Sequence, residues 1–291
     1  MDPPRRQRVV VTERPYMLKT TPFKTSSLSL IILLLTACGT PTGPELDNGR
    51  PIDPTCVPSE PPSGVGLDPF YEKYCDIAGV HIVAATEVPD EALAVMAAIV
   101  AKMLDPLSDT EIGGLHAIDL QVGVIGKDQV TTDMPEYSDL DTAFPEVDWD
   151  ARSRGLGATA VRPLTTSAEE NLLCYPTDPY AGESILVHEF GHTIKDFAVA
   201  AADPGFAGRV AGAYDDAIEA GLWTNTYAAV NAEEYWAEGV QSYFNVNLAA
   251  DPADGVHNEI DTRSELAEYD GALFNLVDEV FGGVTIDAPC P

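Results

Sequence analysis

The chain has 291 residues, of which 45% are apolar, enough to bury one sizeable core or two small ones and too many for a chain disordered throughout. Sixteen Lys and Arg stand against 47 Asp and Glu, a net charge of −31. That surface excludes nucleic acid and anionic lipid headgroups as partners and suits a cation-rich medium that screens its self-repulsion.

At the amino terminus Lys19 and Lys24 precede the run Leu28-Ser-Leu-Ile-Ile-Leu-Leu-Leu-Thr-Ala-Cys38. Its apolar core of about ten residues is too short to span a bilayer, and a basic flank before such a core reads as a secretory signal over residues 1–37. Met17 is the more usual start for such a segment. Leu35-Thr-Ala-Cys38 resembles the cleavage box of bacterial lipoproteins, which implies cutting before Cys38 and acylation of that residue as a lipid anchor. The expected location is extracytoplasmic, secreted or held on a bacterial envelope, with membrane contact only through the anchor. Residues 38–69 are rich in Pro and Gly and read as a semi-extended tether. Residues 70–291 read as a single domain. Cys56, Cys75, Cys174 and Cys290 form an even set, predicting two disulfides in an oxidising compartment with three pairings open. No C-x-x-C pair is present, which argues against a cysteine zinc site.

Gly79–Ala85 reads as a buried strand. Pro89 opens a helix running to about Met103, with acids in its first turn. Leu120–Ile125 reads as a second strand, residues 128–155 as an acidic loop, and Gly155–Val161 as a third strand. Gly155-x-Gly157-x-x-Ala160 is too incomplete for a dinucleotide loop, since no helix pattern follows it. The acids Asp139, Asp141, Glu146, Asp148 and Asp150 lack EF-hand spacing and read as a solvated loop. No Gly-x-Ser-x-Gly elbow occurs, against a serine hydrolase. Little strand signal follows. Thr262-x-x-Glu265 is a capping box that opens a last helix to about Phe281. His81 and His116 read as core or loop residues, and His257 as part of a polar loop.

The informative stretch is Ile185-Leu-Val-His-Glu-Phe-Gly-His-Thr-Ile-Lys-Asp-Phe197. His188 and His192 are four apart, on one helical face, where both imidazoles reach one ion. Leu186, Phe190, Ile194 and Phe197 form a stripe roughly opposite. Glu189 lies beside the ligand face, placed to act as a general base. A third ligand is required from another element. Residues 231–244 read as an amphipathic helix with Asn231 as N-cap, and Glu234 and Glu238 share one of its faces. One serves as ligand and the other as acceptor for a ligand histidine. Glu233 competes for the ligand position.

H-E-F-G-H, a helix-rich spacer, a Tyr, and then Asn-x-x-Glu-aromatic-aromatic-Ala-Glu is similar to the catalytic domain of anthrax lethal factor and its relatives among the gluzincin metallopeptidases. The resemblance spans residues 184–245. It implies an α+β, zincin-like fold: a small mixed sheet with long helices, H-E-x-x-H on the active-site helix and a helical C-terminal half. It implies one zinc ion on His188, His192 and Glu234, Glu189 as general base, Tyr227 facing the metal, and Glu238 behind the ligands. The expected activity is zinc-dependent hydrolysis of a protein or peptide substrate by a monomer, with substrate extended near residues 156–161. The toxin's substrate-specifying parts have no counterpart here. Two other functions fit the same residues: a surface-anchored binding module with a structural metal, and a zinc amidase acting on cell-wall crosslinks.

Overall fold

The computed structural model describes residues 52–287 and 290. The signal segment, Cys38 and the tether up to residue 51 lie outside the described residues. Strands β1 (Lys73–Ile77) and β2 (Val80–Ala84) form a hairpin. Its two-residue turn has Ala78 and Gly79 both at positive φ, 52° and 81°, the backbone that two-residue hairpins favour. A side chain at Gly79 would also meet His116, whose Nε2 lies 2.8 Å from the Ala78 carbonyl. His81 sits between Asp76 and Asp119, at 3.7 and 3.5 Å. Helices α1 (Asp90–Leu104) and α2 (Asp109–His116) then cross to β3 (Gln121–Ile125).

β2, β3 and β5 (Leu164–Ala168) run parallel, and the two-residue β4 (Gly155–Leu156) closes the far edge antiparallel to β5. The spatial order is β1-β2-β3-β5-β4, a mixed five-stranded sheet. Alternation along the strands fills both faces. Ile82, Val122 and Val124 join the main core beneath the helices, while Val83, Ile125 and Leu164 join a smaller cluster with Tyr71, Met134 and Tyr137. The remaining longer helices are α3 (Ile185–Thr193), α4 (Phe206–Glu219), α5 (Ala232–Tyr243), α6 (Arg263–Tyr269) and α7 (Gly271–Phe281). This is the expected α+β, zincin-like layout, with the H-E-x-x-H helix against the sheet and a helical C-terminal half. Among the described residues no helix is long and apolar enough to cross a membrane.

Several local expectations differ. The third strand is not Gly155–Val161: pairing stops at Leu156, the chain turns through a Thr159–Arg162 bridge, and the longer strand is β5. Its sequence, Leu-Thr-Thr-Ser-Ala, shows no apolar pattern, yet all five residues are buried. The hydroxyls make this possible, since Thr165 meets Thr193 at 2.6 Å and Thr166 accepts from the Leu156 N–H at 3.1 Å. β1 was also unforeseen. The loop at 128–155 contains short helical turns, and its acids have local partners: Asp150 accepts from Thr132, and Asp139 takes a two-pronged pair from Arg162. The last helix is two, broken at Asp270, which caps α7 at Leu273 and also accepts from Trp223 Nε1 and Tyr235.

The disulfides are Cys56–Cys75 and Cys174–Cys290. The first ties residues preceding the sheet onto β1, where Ser59 also pairs with Tyr74. Disulfides are compatible with an extracytoplasmic protein.

Candidate metal centre

Helix α3 starts at Ser184, whose side chain accepts from Val187 N. Leu186, Phe190 and Ile194 are wholly buried, as the apolar stripe predicts, so His188, Glu189 and His192 are turned away from that core. The α-helix does not run to Phe197. It ends at Thr193 and continues as a π-helical turn over Ile194–Val199. That turn carries Lys195, buried at 2% exposure, which pairs with Asp196 and, at 2.5 Å, with Glu233. The carboxylate of Glu233 is thereby drawn away from the histidines.

Helix α5 faces α3. The Asn231 side chain caps it by accepting from the Glu233 and Glu234 N–H groups at 2.8 and 2.9 Å. Trp236 Nε1 donates to the Gly191 carbonyl at 2.9 Å. The two helices approach closely because Gly191 has no side chain: a Cβ there would lie 3.3 to 3.5 Å from Val240. Glu234 is thus set opposite the histidines. His188 Nε2 lies 3.1 Å from Glu234 Oε2 and 3.2 Å from His192 Nε2, and His192 Nε2 lies 3.5 Å from Glu234 Oε2. Donors bound at 2.0–2.1 Å to one tetrahedral ion stand about 3.3 Å apart. The three atoms therefore have the spacing and the chemistry of a metal-ligand face, and this group can hold a metal ion.

The electrostatics point the same way. Burial disfavours a charged His188, but the carboxylates of Glu234, Glu189 and Glu238 outweigh it and push its pKa up to about 10. Glu234 is buried too, yet hydrogen bonds to both imidazoles hold it well below the usual carboxylate range. The cluster requires positive charge, and a proton and a metal ion compete for the same lone pairs. Burial pushes the Glu189 carboxyl up while the imidazoles pull it down, leaving it raised. Tyr227, on a short turn just before α5, stacks near His188 with ring centroids 6.3 Å apart. Burial and the nearby Glu234 carboxylate keep its phenol protonated.

Glu238 is not the nearest acceptor to His188. It comes within 3.7 Å of Nδ1, whereas Gln241 Oε1 lies at 2.8 Å. The Glu238 carboxylate instead accepts from Asn247 at 3.1 Å. Sequence reasoning missed Gln241, although 234, 238 and 241 follow the i, i+4, i+7 spacing of one helical face. It also missed Glu183 beside Gln241, and His257, which is buried and lies 3.4 Å from Glu183.

On the sheet side, Gly155 and Gly157 bring the end of β4 against α3. A Cβ at Gly155 would meet Ile185 at 2.5 Å, and one at Gly157 would meet the Glu189 carbonyl at 3.2 Å and His192 at 3.3 Å. Thr193 joins the same contact, accepting from Ala158 N at 3.1 Å.

No family model matches the chain, and no curated protein matches it. Among solved structures, the chain is similar to a PRO-PRO endopeptidase (PPEP-2) from Paenibacillus alvei, with a TM-score of 0.45 and 14% identity over 69% of this chain and 97% of that one. A likeness at this level assigns no activity.

Proposed function

We propose that the chain is a zinc-dependent endopeptidase of the gluzincin type, with His188, His192 and Glu234 as metal ligands. The observation that supports this is the convergence of three ligand atoms at 3.1 to 3.5 Å with a raised carboxyl, Glu189, on the same helix. Two imidazoles and one carboxylate are a preferred zinc set and leave a fourth position for water or substrate. When bound, zinc acts as a Lewis acid on water and on the scissile carbonyl.

The chain supplies the rest. Glu189 takes the proton of the attacking water and returns it to the departing amine nitrogen; burial, which raises its carboxyl above the ordinary value, favours its holding that proton in between. The protonated Tyr227 donates a hydrogen bond to the developing oxyanion or to that amine. Substrate lies extended along the short edge strand β4, which the two glycines hold beside Glu189. The reading extends to a monomer exported by residues 1–37, anchored through Cys38 and spaced from the membrane by the segment that follows.

Metal content and peptide hydrolysis, measured together on wild type and Glu189→Gln, test this. One zinc per chain in both, with turnover down by about 10²- to 10⁴-fold or more in the variant, is expected. A wild type that binds no zinc, or a variant that keeps wild-type turnover, would overturn it. Zinc without turnover on any peptide library would favour a binding module.

A further inference from the structure

The oxygen and the nitrogen of a glutamine side-chain amide are chemically unequal, and the surroundings of Gln241 leave one orientation. Its nitrogen lies 3.3 Å from Glu183 Oε2 and 3.2 Å from the Ser184 carbonyl. Both neighbours accept only, so both amide hydrogens are committed to them. The amide oxygen therefore faces His188 Nδ1 at 2.8 Å and can only accept, which makes Nδ1 the donor. In the neutral imidazole that a metal requires, the lone pair then falls to Nε2, the atom facing His192 and Glu234. Gln241 has no exposure to solvent, so water does not substitute for any of these bonds. Glu183 is held in turn by the buried His257, whose loop also accepts the Tyr227 N–H at the Val256 carbonyl, 2.7 Å away.

We infer that Gln241 is a positioning residue that sets the His188 tautomer, and that Glu183 and His257 hold its amide in the required orientation. The inference rests on the zinc-site reading above. A neutral amide does here what a carboxylate does in many metal sites, while the carboxylate one turn away, Glu238, is engaged by Asn247. The arrangement avoids placing a further anion against His188 beside Glu234, Glu189 and Glu238.

The test uses the full chain and the metal alone. Zinc affinity is measured by chelator competition for wild type, Gln241→Met, Glu183→Leu and Glu183→Gln. The His188 ring N–H is followed by proton NMR of the cobalt-substituted proteins. Gln241→Met should weaken zinc binding by about 10- to 100-fold, and its His188 ring proton should lose its protection from exchange with water. Glu183→Leu should shift both readouts in the same direction. Glu183→Gln should restore them, because its amide oxygen still accepts from Gln241. Rescue by Gln but not Leu is an effect that mere loss of packing would not produce. Should Gln241→Met fail to fold, the Glu183 pair decides: loss with Leu and rescue with Gln supports the inference, and equal affinity with an unchanged ring signal overturns it. Gln241→Met that folds and binds zinc within about 2-fold of wild type, with its ring signal intact, also overturns it. Wild type that binds no zinc would instead remove the reading beneath it.

Discussion

Two adjacent carboxylates, Glu233 and Glu234, compete on paper for one metal, and a single buried lysine separates them. Burial opposes the charge on Lys195, but Asp196 and Glu233 outweigh that and keep it protonated. With Glu233 held there at 2.5 Å, only Glu234 reaches the histidines. The expected outcome is asymmetric. Glu234→Ala should lower zinc affinity by more than the roughly 10- to 100-fold typical of an outer-shell change, and Glu233→Ala by less than that. Equal losses in a chelator titration would show that the pairing with Lys195 does not choose the ligand. That 188, 189 and 192 share one helix was legible in the sequence because the motif is local. The candidate 234 was narrowed by helical spacing, but the lysine that draws Glu233 away lies 38 positions before that residue, on a π turn that no apolar periodicity announced.

Helix α3 carries His188, Glu189 and His192, and three neighbours set its position: α5 through Gly191, β5 through Thr193, and the end of β4 through Gly155. The last is the tightest, since a Cβ at Gly155 would come within 2.5 Å of Ile185 and 2.9 Å of the Thr166 carbonyl. Backbone cannot yield cheaply, so Gly155→Ala should cost about 1–3 kcal/mol in denaturant unfolding, the usual penalty for overpacking. A fall in peptide hydrolysis should accompany it, because α3 must shift to make room. An unchanged unfolding midpoint would mean that the strand and helix do not pack this closely. In the sequence, Gly155 and Gly157 read only as part of a strand over 155–161. Their role depends on which helix lies across them, and nothing within 155–161 encodes that. β5 was hidden for a related reason: its Thr165 and Thr166 hydroxyls are buried by bonding across to α3 and β4.

At the scale of the whole molecule, two disulfides tie a strongly acidic chain whose charges favour expansion. Cys174–Cys290 closes a span of 116 residues that contains His188, His192 and Glu234, whereas Cys56–Cys75 closes only 19. In the chain-entropy account the longer loop constrains the unfolded state more. Replacing Cys174 and Cys290 by Ser should therefore cost about 4–5 kcal/mol and replacing Cys56 and Cys75 about 3 kcal/mol. Equilibrium unfolding of the two double variants checks the order, and a larger loss from the short loop would reverse it. Salt should narrow the difference from wild type by screening the repulsion that the cross-links resist.

A candidate metal motif and the broad order of elements were legible in the residues alone. A two-histidine spacing, a helical stripe, N-cap residues and a capping box act within a few turns of one segment, and each is written in neighbouring residues. Tertiary structure decided the disulfide pairing, the place of the fourth and fifth strands, the break at Asp270, and the partner of His188. Gln241 rather than Glu238 takes that hydrogen bond because α3 and α5 cross where Gly191 and Val240 allow, 53 residues separating donor from acceptor. Side-chain contacts of that range depend on how two helices pack, and a linear pattern carries the face of each helix but not the depth at which they meet.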